Sequence, residues 1–248
     1  MKDINKKVII NWSGGKDATM ALYEYLKDHD LQSIHSLSTT INENLQRITM
    51  HGVPVSLLKT QSEALGIKVF TTGLPEDISM NKYSEIMHSK ALSDYNAGIK
   101  TYIYGDINLE DLREFRDKEL SRSKIKATYP LWGKNTKDLA EQFINAGFKA
   151  IVVATSSKLL DETFVGREFD HKFLADLPKM VDPCGENGEF HTFVYDGPIF
   201  NAPVRFIKGK KTYKTYEPKQ EDAECFCCEK DSDNTWDKGF WFCDLQST

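Results

Sequence analysis

The chain has 248 residues, 40% hydrophobic, 11% aromatic and 28% charged, enough apolar material for one sizeable core or two small ones and too much for a disordered chain. With 32 Lys and Arg against 37 Asp and Glu the formal net charge is -5, which argues against non-specific binding to nucleic acid or to an anionic membrane. No run of about 18 apolar residues occurs, and the charged start MKDINKKVIINW has no small-residue cleavage site, so a soluble cytoplasmic protein is expected.

Short β-branched runs alternate with amphipathic stretches over the first two-thirds of the chain, the pattern of βαβ units and a mostly parallel sheet. Lys7 to Trp12 reads as a strand, Ala18 to Lys27 as a helix, Ser33 to Thr40 as a second strand and Val53 to Leu65 as a helix stopped by Gly66. Ile67 to Thr72 is a third strand, Met80 to Asn96 a helix with Gly98 just beyond it, and Lys100 to Tyr104 a strand opening into Gly105 and Asp106. Thr136 to Asn145 reads as a helix closed by Gly147, followed by Ala150 to Thr155, the most apolar strand.

After Leu159 the rhythm changes to short pieces, prolines and a strand-like run from Val204 to Tyr216. The expected architecture is therefore α/β, a doubly wound mostly parallel sheet over residues 1–155 with a smaller α+β domain over residues 156–248. In such sheets ligands sit beyond the carboxyl ends of the strands. The five cysteines are Cys184, Cys225, Cys227, Cys228 and Cys243, an odd count crowded at the end, which fits a reducing compartment better than a disulfide framework.

The first strand is followed by Ser13, Gly14, Gly15, Lys16 and Asp17 at the start of a helix, where backbone N–H groups and the helix N-terminus point at an anion. Adjacent glycines let a phosphate approach the backbone, Lys16 adds a charge, Ser13 adds a hydroxyl, and Asp17 either caps the helix or helps to hold Mg²⁺. The loop is neither a Walker A sequence nor the glycine pattern of dinucleotide folds. It resembles the SGGxDS loop of the PP-loop ATP pyrophosphatases, with Ala18 where the last Ser would stand.

A second string, VDPCGENGEFHTFVYDGPIF from Val181 to Phe200, packs carboxylates, an amide, an imidazole, a thiol and glycines between prolines. It resembles the hallmark of the diphthine–ammonia ligase family, also called the diphthamide synthase domain or N-type ATP pyrophosphatases. RITMHGVP from Arg47 to Pro54, GDI from Gly105 to Ile107 followed by Asp111, Arg113 and Glu119, and PLW from Pro130 to Trp132 match that family in order. The resemblance runs from Val8 to Phe200 and implies a HUP-type nucleotide domain, a smaller C-terminal domain at the acceptor pocket, ATP and Mg²⁺ as cofactors, and amidation of a carboxylate.

The implied chemistry is adenylation of the carboxylate with loss of pyrophosphate, then attack by ammonia with loss of AMP. The acceptor is protein-borne diphthine, as in eukaryotic family members, or a small metabolite, and ammonium is the second partner. Nucleic acid and membranes are not expected as partners, and a homo-oligomer is compatible with the sequence. Lys16 neutralises the phosphates, and Glu186, Glu189 and His191 are candidates for the base that frees ammonia or for the ammonium site. If Glu189 to Thr192 runs as a strand, Glu189 and His191 share a face.

His51, Gly105 and Asp106 are expected at the nucleotide, Asp17 or Asp106 at a metal, and Arg113, Asn187 and Thr192 at the substrate. Competing readings are sulfur transfer such as tRNA thiolation, which calls for a low-pKa cysteine pair or an iron–sulfur site where Cys184 stands alone beside the signature, and an ATP-binding module without catalysis. Zinc held by the tail cysteines is a further alternative, set against Trp236, Phe240, Trp241 and Phe242 packing the tail on the body.

Overall fold

The computed structural model describes residues 7–75, 77–215 and 239–248. Its first sheet is built from β1 (Val8–Asn11), β2 (Ile34–Asn42), β3 (Arg47–Ile48), β4 (Val69–Leu74), β5 (Thr101–Ile103) and β6 (Lys126–Thr128). Between them run α1 (Lys16–Asp28), α2 (Val55–Leu65), α3 (Met80–Asn96) and α4 (Glu110–Ser121). β1 lies between β2 and β5, β4 flanks β2, β6 flanks β5, and all four of these pairings are parallel; only β3 runs antiparallel, on β2. The chain thus works outward from β1 through β2 to β4, then returns to the other side of β1, which makes the gap between β1 and β5 the switch point.

Alternation along β1 explains the two helix layers. Val8 and Ile10 enter one core with Leu22, Leu57 and Leu58, while Ile9 enters the other with Ala91 of α3 and Leu120 of α4. Local signals set the helix ends: Ser79 accepts the Lys82 N–H ahead of α3 and Gly66 closes α2 at φ +68°, a left-handed turn that favours glycine.

The second sheet is antiparallel, ordered β8 (Phe190–Asp196), β7 (Lys149–Ser156), β10 (Gly239–Ser247), β9 (Phe206–Thr215). The apolar strand expected over Ala150 to Thr155 is β7, and it belongs here rather than to the parallel sheet: it pairs β8 on one edge and β10 on the other. A division at residue 155 would fall inside β7. α5 (Thr136–Asn145), capped by Asn135, bridges the sheets, and α6 (His171–Asp176) follows β7.

One buried cluster runs through both sheets, from Ile10 and Leu37 to Val152, Phe193 and Leu245. Phe240, Trp241 and Phe242 do pack on the body as part of β10, whereas Trp236, Cys225, Cys227 and Cys228 lie outside the described residues. β9 is a lysine-rich edge, a composition that discourages further strand pairing. Among the described residues no helix is long and apolar enough to cross a membrane.

Candidate active site

The turn between β1 and α1 is held from three sides. Gly14, at φ +78°, accepts the Val194 N–H of β8 at 2.9 Å and the Gln61 amide at 3.0 Å through its carbonyl. Gln61 is fully buried on α2; it also accepts the Trp12 indole N–H at 2.7 Å and donates to the Val194 carbonyl at 2.6 Å. Gly15 caps α1, and a Cβ there would stand 3.0 Å from the Thr192 carbonyl and 3.3 Å from His51 Nε2. Ser13 Oγ accepts the Gly15 N–H at 3.3 Å, and Thr192 Oγ1 accepts that of Lys16 at 3.0 Å. The second sheet therefore shapes the anion loop of the first.

Lys16 is buried, with Nζ donating to both Asp17 oxygens at 2.8 Å and to the Cys184 carbonyl, above the rings of Phe190 and Phe169. Burial works against its ammonium, but the Asp17 carboxylate overrides it and holds the group above the usual lysine range. Asp17 does not cap the helix: Gly15 is the N-cap, without a side-chain bond, and Asp17 lies in the first turn of α1, where a negative charge suits the dipole. Ala18, at the place of the family's serine, is buried, and the nearby Thr19 hydroxyl bonds the Gly15 carbonyl at 2.9 Å.

The Gly-rich signature forms a tight turn ahead of β8. Glu189 is 3% exposed and its oxygens accept the Asp182 N–H (3.0 Å), the Asn187 side-chain amide (3.0 Å) and the Asn187 N–H (2.9 Å). Glu189 and Asn187 thus order the turn and stand outside the cleft wall, where catalytic and substrate-binding roles had been expected of them; β8 begins at Phe190, so Glu189 precedes the strand alternation that would have put it beside His191. Glu186 does face the cleft. Its Oε1 accepts the Ile107 and Asn108 N–H groups at 2.8 and 3.0 Å, and burial, only partly offset by those bonds, pushes its carboxyl up.

His51 and His191 stand beside Gly15 with ring centroids 4.5 Å apart. Burial lowers His51 from 6.5 to about 4, and burial, His51 and Lys16 hold His191 well below its ordinary range, so both imidazoles are neutral near pH 7. Between pH 6.5 and 4 the unfolded chain binds a proton at His51 that the folded protein refuses, so stability falls as pH falls through this window. The loss is at most about 1.4 kcal/mol per pH unit, less where water reaches the ring. Denaturant titrations across the window check this: His51→Gln flattens the slope, and an unchanged slope refutes the assignment.

At the end of β5, Gly105 packs on the first turn of α1; a Cβ there would lie 2.7 Å from the Asp17 carbonyl carbon. Gly105→Ala must push that backbone aside, so thermal unfolding should register a loss of about 1–3 kcal/mol. Asp106 follows and pairs with Arg116 at 3.0 Å, the guanidinium lying 4.4 Å from the Tyr104 ring centre. Arg113 does not reach the cleft: it stacks over Trp132 and Tyr129 at 4.4 and 5.4 Å. The arginine at the site is Arg116, on the helix face shared by Leu112, Phe115 and Glu119.

These groups line one cleft of about 480 Å³ over the switch point, with Ser13, Gly15, Lys16, Asp17, His51, Gly105, Asp106, Glu186, His191 and Thr192 in its wall. Gly14 shapes it from behind. Among the described residues no group of three or more His, Cys, Asp or Glu is placed to hold a metal ion. Cys184 is buried, and desolvation pushes its thiol up to about 12.

The chain matches the model of the diphthamide synthase N-terminal domain over residues 6–127 and that of the C-terminal domain over residues 135–220. It is similar to diphthine–ammonia ligases of Mus musculus (30% identity over 121 residues, 46% of this chain and 38% of the relative), Homo sapiens (28% over 102, 39% and 38%) and Bos taurus (33% over 79, 30% and 30%). The aligned stretches thus span well under half the length of these relatives. Two adjoining family models, on the two sheets whose contact forms the loop and the cleft, place the chain in the diphthamide synthase family.

Proposed function

We propose that this protein is an ATP-dependent, AMP-forming carboxylate–ammonia ligase. The observation that carries this reading is the Gly14–Lys16 turn clamped between Gln61 and β8, which aims the α1 N-terminus and a buried ammonium into the cleft. A Cβ at Gly15 would crowd the Thr192 carbonyl, His51 and Ser13, so glycine keeps this turn close to them. The carboxylates nearest the loop, Asp17 and Asp106, are ion-paired with Lys16 and Arg116, so Mg²⁺ would take most of its oxygen ligands from phosphate, and its chemistry there is charge neutralisation. Diphthine and ammonia enter by way of the relatives, whose name is diphthine–ammonia ligase, and ATP by way of the Ser13–Asp17 loop, which resembles that of the PP-loop ATP pyrophosphatases.

A carboxylate oxygen attacks the α-phosphorus and pyrophosphate leaves; ammonia then attacks the acyl carbon and AMP leaves. Lys16 and the loop N–H groups hold the phosphates. Ammonium must shed a proton before it attacks, and of the titratable groups in the cleft wall we assign that role to Glu186 or His191. Burial already favours proton uptake by Glu186, and phosphate charge beside His191 would raise its basicity. The acceptor is a carboxylate, either protein-borne diphthine or a small metabolite. The functional division follows the sheets, with residues up to α5 carrying the phosphate turn and most of the cleft wall and β7 onward closing the pocket, and we assign the enzyme to the cytoplasm.

Sulfur transfer is disfavoured by Cys184, whose thiol, near 12, donates to the Thr136 carbonyl and is not a ready nucleophile. A screen of carboxylates with ATP, Mg²⁺ and ammonium tests the ligase reading. Equimolar AMP and amide are expected with one acceptor class, and ADP as the nucleotide product would overturn it.

A further inference from the structure

The cleft extends past the loop onto the β5 side of the switch point, between α3 and α4. There α3 presents Tyr83, His88 and Ala91, and α4 presents Phe115, Arg116 and Glu119. His88 lines this half, and its Nδ1 is buried without a hydrogen-bond partner, a costly arrangement that a turn of the ring toward a bound ligand would relieve. On the opposite side, β2 and β3 contribute Ser38, Thr39, Thr40 and Ile48 to the wall and no lysine or arginine. A switch-point crevice has two halves, and a mononucleotide whose phosphates sit on the central turn fills one of them. The half with hydroxyls and no cation suits a nucleoside; the half with Arg116 suits a carboxylate.

We propose that the α3–α4 half is the acceptor subsite. Arg116, fixed by Asp106 and by the face of Tyr104, draws the carboxylate toward the loop, and the His88 ring, turned so that Nδ1 leaves its buried position, hydrogen-bonds a polar atom on an acceptor whose body is otherwise apolar or aromatic. The carboxylate part rests on the ligase reading, while the polar anchor in an apolar wall rests on the cavity alone. Glu119, partly occupied by Arg122 at 3.3 Å, lies on the same helix face and disfavours a second acidic group on the acceptor.

The test uses the full chain labelled with nitrogen-15 at histidine, with His88 identified by its disappearance in His88→Phe. With ATP and Mg²⁺ present, hydroxyphenylpropionate should shift the His88 ring resonances and acetate should not. His88→Phe, and Ala91→Phe, which fills the half, should each weaken hydroxyphenylpropionate by about tenfold or more while calorimetry finds ATP affinity unchanged. Where Ala91→Phe fails to fold, His88→Phe carries the comparison. Equal weakening of ATP in these variants, or no His88 shift with either acid, overturns the subsite. If hydroxyphenylpropionate binds as expected and no AMP forms with any carboxylate, the subsite stands and the ligase reading falls; if AMP forms with His88 silent, the reverse holds.

Discussion

Lys16→Met should reduce AMP formation from ATP by ~10²–10³-fold or more, the scale seen when one preorganised donor to a developing charge is removed. Methionine keeps the length and apolar stem of the side chain, so Phe169 and Phe190 retain their contact while the charge disappears. The variant also leaves the Cys184 carbonyl without its donor and Asp17 without its cation. Burial already pushes the Asp17 carboxyl up, and without Lys16 nothing nearby opposes it as strongly.

A carboxyl that is harder to ionise when folded than when unfolded binds the extra proton in the folded state, so stability contributed by that proton is lost as pH rises above 3.8. Lys16→Met should therefore be close to the parent in stability at acidic pH and fall behind toward neutrality. Thermal unfolding across pH, beside an AMP assay, separates the two effects. Turnover within tenfold of the parent would mean that the Gly14–Lys16 turn does not hold the phosphates.

Glu189→Gln has the second largest expected effect and distinguishes order from chemistry. Three N–H donors converge on the two Glu189 oxygens, and a glutamine offers one oxygen and an N–H₂ that faces donors. Leaving such groups unsatisfied costs about 1–3 kcal/mol, concentrated in the turn that carries Glu186 into the cleft and leads into His191 and Thr192. The expected result is a lower Tm and a KM for ATP raised about tenfold, with the pH–rate profile keeping its shape. A base at this position would give the opposite: normal Tm, and loss of one limb of the profile.

Much of the parallel half was legible because local chemistry and periodicity agree there. α3 and α5 match the expected Met80–Asn96 and Thr136–Asn145 spans, with Ser79 and Asn135 as capping acceptors and glycines beyond each end. The two-sheet division was harder to read. A short fully apolar run such as Ala150 to Thr155 is buried on both faces whether its neighbours run parallel or antiparallel, so periodicity cannot choose its sheet. β10 joins β7 across a long stretch of sequence, a pairing no local pattern announces.

The place of the Ser13–Lys16 turn was legible for a similar reason: its glycines and the helix start that follows fix a strand–turn–helix junction, and the junction stands in the cleft wall. Side-chain destinations were not. Glu189 and Glu186 sit three residues apart in one signature, yet one organises the turn and the other faces the cleft, because β8 starts after Glu189. Arg113 and Arg116 lie on one helix three positions apart; only the apolar spacing of Leu112, Phe115 and Leu120 favours Arg116 as the inward one. Gln61 is marked in the sequence as a lone amide among Leu57, Leu58 and Leu65 on the apolar face of α2, the pattern of a buried polar group with fixed partners.

The proposed ligase reaction turns on one step, transfer of AMP to an oxygen of the acceptor carboxylate. An acceptor whose carboxylate carries heavy oxygen tests it most directly, with ATP, Mg²⁺ and ammonium at full conversion and mass spectrometry of the nucleotide. One labelled oxygen is expected in every AMP released and one in the amide; label in inorganic phosphate with ADP as product, or AMP free of label, rules that step out.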